Sequence, residues 1–209
     1  MTGNVRAAMV AAGVATVVVA ASCGGSSSPR ANPRRSGGNP AATKSRGIDP
    51  NAPEVVAPGD IPDTQAFVTF AGAGFSFKVP EGWSRSSGGA TTSFTDHYNT
   101  VAAATTNAPL APTVASTRAA DVSALRTDVP NFQLVNVALV QRSAGPVVLV
   151  TYRAGSPADP VTGKRVAIDV ERYAFWRNGT QVTLTLSGAR GSDNVDPWKT
   201  ITDSFAWTS

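Results

Sequence analysis

Apolar and polar residues alternate along Phe67-Val68-Thr69-Phe70 and again along Phe75-Ser76-Phe77-Lys78-Val79-Pro80, with Ala71-Gly72-Ala73-Gly74 between them. A two-residue period on both sides of a glycine-rich gap predicts a β-hairpin. Phe75, Phe77 and Val79 fall on one face, and Pro80 stops the second strand. Glu81-Gly82-Trp83 then turns the chain, so that Trp83 is expected to fold back on the hairpin. A weaker strand pair is predicted over residues 91–94 and 100–105. Beyond it the period lengthens. Ala115, Ala119, Val122 and Leu125 recur at three- and four-residue spacing, predicting a helix over residues 113–128 that Pro130 closes. Four runs rich in Val, Leu, Thr and aromatics follow, at 133–141, 147–153, 165–176 and 181–187. Arg177-Asn178-Gly179-Thr180 joins the last two, and Asn-Gly is the favoured pair for a type I′ hairpin turn. A last helix is predicted over 194–204, with Val195, Trp198, Ile201, Thr202 and Phe205 along one side. Asp196-Pro197 reads as its N-cap and first helical residue. Strands, a helix, an antiparallel meander and a second helix predict an α+β fold, an antiparallel β-sheet flanked by helices.

None of that patterning exists in the first third of the chain. Behind Arg6 runs an apolar stretch from Ala7 to Ala21, too short for a transmembrane helix, which needs about 20 apolar residues. It ends in Ala20-Ala21-Ser22-Cys23, small residues before a cysteine, the pattern of a bacterial lipoprotein signal. Residues 1–22 are therefore expected to be a signal peptide and Cys23 the lipidation site. The mature protein would be held on the outer face of the cytoplasmic membrane. Residues 23–66, rich in Gly, Ser, Pro and Arg, carry too little apolar surface to fold and are expected to be a disordered tether. As a coil, this length reaches on the order of 35 Å. Residues 67–209 remain for a single folded domain.

Composition narrows the function classes. The formal charge is +4, but from Phe67 onward twelve Lys or Arg face ten Asp or Glu, so half of the excess lies before the domain. Nucleic-acid binders gather basic residues on a face or stripe, and the sequence shows no such run, so no nucleic-acid partner is expected. The single Cys allows no intramolecular disulfide.

The sequence is thin in catalytic groups. His97 is the only histidine, which rules out a multi-histidine metal site. It sits in the polar stretch Thr95-Asp96-His97-Tyr98-Asn99 and reads as a surface residue. Asp159-Pro160-Val161-Thr162-Gly163-Lys164 reads as a loop between strands, not a phosphate loop, since it holds one glycine and leads into a strand. Asp169 and Glu171 share a strand face with Tyr173 and Phe175, while Arg172 and Trp176 point the other way. A solvated outer face is the expectation for the two acids. Among the aromatics, Trp83, Phe175 and Trp198 are candidates to line an apolar pocket between sheet and helix, a common place for a small-molecule site. No catalytic residue, cofactor or metal is expected.

The stretch Phe75-Ser76-Phe77-Lys78-Val79-Pro80-Glu81-Gly82-Trp83 resembles the F-x-F-x-V-P-x-G-W opening of the mycobacterial LpqN/LpqT lipoproteins and of wider PsbP-like proteins. Trp198-Lys199-Thr200-Ile201-Thr202-Asp203-Ser204-Phe205 is similar to that group's terminal helix running into a Ser-Phe end. The signal and the Pro-rich tether also resemble the lipoproteins. The likeness covers both ends of the domain, and residues 91–131 match only in element order. It implies a PsbP-like sandwich and an actinobacterial cell-envelope setting. It implies no enzyme activity, but a binding or accessory role toward envelope lipid, such as a glycolipid, or a partner protein. The shared motifs are structural, so no ligand residues carry over. The other expectations kept open are an envelope hydrolase and a structural accessory subunit of an envelope transporter.

Overall fold

The computed structural model describes residues 59–159 and 161–208, so the signal, Cys23 and the tether up to residue 58 lie outside the described residues. The chain opens with β1 (Phe67–Ala71), β2 (Phe75–Pro80), β3 (Ser84–Gly88), β4 (Thr91–Asp96) and β5 (Asn99–Asn107). Two short helices, α1 (Val114–Ala119) and α2 (Asp121–Asp128), precede the long meander β6 (Gln133–Arg142), β7 (Gly145–Gly155), β8 (Ala167–Arg177) and β9 (Thr180–Ala189). The chain closes with α3 (Val195–Asp203) and β10 (Ala206–Trp207).

Seven strands form one antiparallel sheet in the order β3-β4-β5-β9-β8-β7-β6. A second, three-stranded sheet has the order β1-β2-β10, with Ala206 opposite Ser76 and Trp207 opposite Phe75. Alternation along each strand sends successive side chains to opposite faces, and here both faces are covered. One core holds Phe94, Val101, Leu184, Leu186, Tyr173 and Phe175 of the large sheet against Phe70, Phe75 and Phe77 of the small one and Trp198, Ile201 and Phe205 from the chain's end. On the opposite face Val148, Val150, Tyr152 and Val170 pack beneath Val122 of α2. The molecule is therefore an α+β protein built on an antiparallel sheet, as the periodicity predicts.

The hairpin turn between β8 and β9 is as predicted: Asn178 (φ 49°) and Gly179 (φ 80°) both occupy the left-handed region that a type I′ turn requires. His97 also takes positive φ (46°), at the β4–β5 turn, and its side chain is 81% exposed. Its Nδ1 lies 2.9 Å from Asp96 Oδ1, in keeping with a surface histidine. The segment after Asp159 is a loop, in which Asp159 Oδ1 accepts hydrogen bonds from the backbone N–H of Val161 and Thr162 and from the Thr162 hydroxyl. Those three donors hold its carboxyl below the usual range.

Both predicted helices are corrected, and one strand is added. The helix predicted over 113–128 is two, broken at Ala120, and its buried positions are Thr117 and Val122 while Ala115 and Ala119 face solvent. Strand β3 carried no periodic signal because all five of its residues, Ser84 to Gly88, are exposed on both faces. The N-cap position of the last helix is Asn194, not Asp196, and Pro197 is its third residue, where its missing N–H still costs nothing. Val195, expected on the buried side, is 72% exposed.

Candidate functional site

Along β8 the same face carries Phe175, Tyr173, Glu171 and Asp169. The two aromatics are buried under the small sheet and α3, and the two acids emerge where that cover ends. A cleft of about 290 Å³ opens there. Its floor is Asp169, Glu171 and Tyr173 of β8, and Arg142 closes one end. Trp198, Lys199 and Val195 of α3 form one wall, and the turn carrying Ser192 and Asn194 forms another. Asp169 and Glu171 thus border a cleft instead of the freely solvated face expected from the sequence.

The polar groups in the cleft are organised around Arg142, which comes from the end of β6. Its Nη2 donates to the Tyr173 hydroxyl at 2.8 Å and its Nε to Thr202 Oγ1 at 3.0 Å, and Asp203 lies 3.7 Å from Nε. The Tyr173 hydroxyl in turn donates to Glu171 Oε2 at 2.5 Å. Lys199 pairs with Asp203 one turn along α3. The guanidinium also lies 4.8 Å from the centre of the Tyr173 ring, within cation–π range. A half-buried positive charge is thereby balanced by two carboxylates, and each group is held in one orientation before any ligand arrives.

Burial raises the Tyr173 pKa, and the hydrogen bond and negative charge of Glu171 push it further up, outweighing the opposing effect of Arg142. Tyr152, on the other face of the sheet, is raised by burial as well. A tyrosine whose folded pKa exceeds its unfolded value near 10 contributes stability that is present below pH 10 and is lost as pH rises through the folded pKa. Melting temperature should therefore hold up to about pH 10 and fall above it, and Tyr173→Phe should reduce that alkaline slope but leave the Tyr152 share. A pH series of thermal melts checks this. An unchanged slope in the variant would show that Tyr173 does not stay protonated in the fold.

One further network fixes the wall of the cleft. Asn194 Oδ1 accepts from Ile61 N–H at 2.8 Å, while its Nδ2 donates to Gly59 O and to Asn99 Oδ1, both at 3.1 Å. Asn99 Nδ2 donates to Gly59 O at 3.0 Å. Both asparagines are buried, so this amide cluster ties the start of the described chain to β5 and to the N-terminus of α3. Ser192, on the same wall, has a buried Oγ with no hydrogen-bond partner among the described residues.

Of the three aromatics nominated from sequence, the structure places only Trp198 at this cleft. Phe175 is 1% exposed and stacks on Phe205 at 3.9 Å between ring centres, closed inside the core. Trp83 is partly buried against the same core. The three do not meet in one pocket. Arg142, Ser192 and Asn194 were not singled out from the sequence, because an isolated Arg at a strand end and small polar residues in a turn carry no periodic signal. Asp169 and Glu171 were visible as a same-face pair, and their partner across space was not. The cleft lining contains neither histidine nor cysteine, and His97 lies at the β4–β5 turn. The arrangement brings an indole edge, a fixed guanidinium–phenol–carboxylate chain and amide groups around a small volume.

No family model and no curated protein matches the sequence. Solved structures do align with it. The cyanobacterial PsbP of Synechocystis is 16% identical, with 74% of this chain and 99% of that one covered at a TM-score of 0.47. LpqN of Mycobacterium tuberculosis, described as involved in cell envelope biogenesis, is 12% identical over 73% of this chain and 90% of that one, with a TM-score of 0.42. The yeast Ran-binding protein Mog1p is 10% identical over 68% of this chain and 95% of its own, with a TM-score of 0.45. A PsbP protein and LpqN, the two groups that the sequence motifs resemble, are thus among the structures that this chain is similar to.

Proposed function

We propose that the protein is a lipoprotein of the cell envelope, anchored through Cys23, whose folded part is a non-catalytic binding or accessory module that takes envelope lipid or a partner protein at the cleft beside α3. The observation that carries this reading is the preset chain Arg142–Tyr173–Glu171 beneath Trp198. The carboxylates sit beside arginine and tyrosine, with no histidine or cysteine in the lining to act as base or nucleophile.

The protein purified from its own membranes should carry lipid detectable by extraction and mass spectrometry, or should crosslink in whole cells to an envelope protein. Glu171→Gln combined with Trp198→Ala should reduce that yield several-fold. A protein that carries no lipid and crosslinks to nothing overturns the proposal, as does turnover of an envelope substrate that His97→Ala abolishes.

The anchor has its own test. Cys23→Ser should move the protein from the membrane fraction to the soluble one, because two or three acyl chains contribute about 0.8 kcal/mol per buried methylene. Unchanged tight membrane association in the variant would remove Cys23 from the role.

A further inference from the structure

At the far end of the large sheet, past Asp169, three arginines converge on a second depression of about 170 Å³: Arg153 from β7, Arg165 from the loop before β8, and Arg190 just after β9. The side chains of Asn131 and Gln133 complete its polar lining, and no carboxylate belongs to it. In a folded part with nearly balanced charge, three like charges around one small volume are a cost unless something offsets them.

The nearby acids do so only in part. Asp169 lies 3.4 Å from Arg153 Nε, at the cross-strand position Arg153↔Asp169. Asp159 is occupied by the backbone of its own loop. Arg190 makes no ion pair among the described residues.

One guanidinium and the backbone of a second arginine are held in place. Arg165 Nη1 donates to Ser156 O at 2.6 Å, and the Arg190 backbone N–H donates to Ala167 O at 2.9 Å. Each of these contacts uses a single donor of its residue, so most of the guanidinium N–H groups stay available. Asn131 sits in the left-handed region (φ 55°), and its amide lies against Gly155 at the rim. A guanidinium presents a planar fork of donors that matches oxyanions bidentately. One fork would serve a single carboxylate. Three forks with two side-chain amides suit a tetrahedral anion with several free oxygens and more than one negative charge.

We propose that the Arg153–Arg165–Arg190 depression is a phosphate-binding site, taking the phosphate group either of a soluble phosphate ester or of an anionic lipid headgroup. It is separate from the cleft beside α3 and does not depend on that cleft being a ligand site. Anchoring at the membrane would bring lipid phosphate within reach, but the site chemistry is the same for either source.

The test titrates the full chain, in the Cys23→Ser background, with inorganic phosphate and glycerol 3-phosphate. A parallel arm uses phosphatidylcholine vesicles with and without phosphatidylglycerol. Amide NMR shifts at Asn131, Gly155 and Arg190 report the soluble arm, and co-sedimentation reports the vesicles. Arg165→Gln and Arg190→Gln should each weaken binding about tenfold or more, the value of one charge-assisted hydrogen bond set. Arg85→Gln, an equal charge change on β3, should leave it unaltered. Binding in the soluble arm alone identifies a phosphate ester as the source, and phosphatidylglycerol-dependent binding that the same variants lose identifies the lipid. Absence of binding in both arms overturns the proposal, as does binding that Arg85→Gln weakens as much as Arg190→Gln does.

Discussion

Replacing Phe205 by Ala lowers the unfolding free energy by about 3–5 kcal/mol, the usual cost of removing a fully buried phenylalanine. Phe205 is 1% exposed and stacks between two rings, Phe175 at 3.9 Å and Phe75 at 5.8 Å, with Trp207 edge-on at 5.2 Å. It is the side chain through which the chain's end joins the small sheet to the large one. The void left by Ala cannot collapse, because β-strands fix the rings on both sides. At about 2–4 °C per kcal/mol for a protein of this size, the melting temperature should fall by roughly 6–20 °C. Phe205→Leu, which keeps most of the volume, should recover more than half of the loss. If Phe205→Ala melts within a degree or two of the native protein, the aromatic stack is not the junction described here.

The second large effect is expected at the buried amide cluster. Gly188→Ala places a Cβ 2.7 Å from both Asn99 Oδ1 and Asn194 Nδ2, closer than real Cβ contacts allow. Neither asparagine can withdraw without breaking bonds to Gly59 O or Ile61 N–H. Asn194→Ala avoids the clash but leaves the Ile61 N–H and Asn99 Oδ1 without that partner in a buried setting. Each unsatisfied group costs about 1–3 kcal/mol. Both variants should lose about 2–4 kcal/mol in urea denaturation. Asn194→Asp, which keeps the acceptor for Ile61 but repels Asn99 Oδ1, should not rescue. A loss under 0.5 kcal/mol in Gly188→Ala would mean that the cluster yields easily and does not fix the wall of the cleft.

The strands that could be read from the sequence are those with one face in a core. Phe75, Phe77 and Val79 alternate because Ser76 and Lys78 face outward, and the Asn178-Gly179 turn is legible because few other pairs accept positive φ twice. Strand β3, wet on both faces, left no such trace. The break at Ala120 was hidden because alanine is compatible with both a helix interior and its end. The Asp196-Pro197 pair looked like a helix start on local grounds. The true N-cap position, Asn194, is set by residues more than 90 positions away, Asn99 and Gly59–Ile61. The cleft was legible only as fragments for the same reason. Trp198 and the Asp169–Glu171 pair were visible singly, whereas Arg142 joins them from β6 through bonds spanning 31 and 60 residues.

The pairing of β10 with β2 sets an order of events during folding. The meander β6–β9 closes through neighbouring hairpins, but the contacts Ile61–Asn194 and Lys78 N–H to Ser204 Oγ bridge 133 and 126 residues. Contacts so far apart carry the largest loop-closure penalty and are the slow part of a topology like this one. The hairpin with Phe75 and Phe77 lies far ahead of Phe205 along the chain. Until Phe205 docks, then, the rings of Phe75 and Phe175 that it covers lack that partner. A chain truncated just before Phe205 would carry nearly all of its strands and still present those rings to chaperones and proteases.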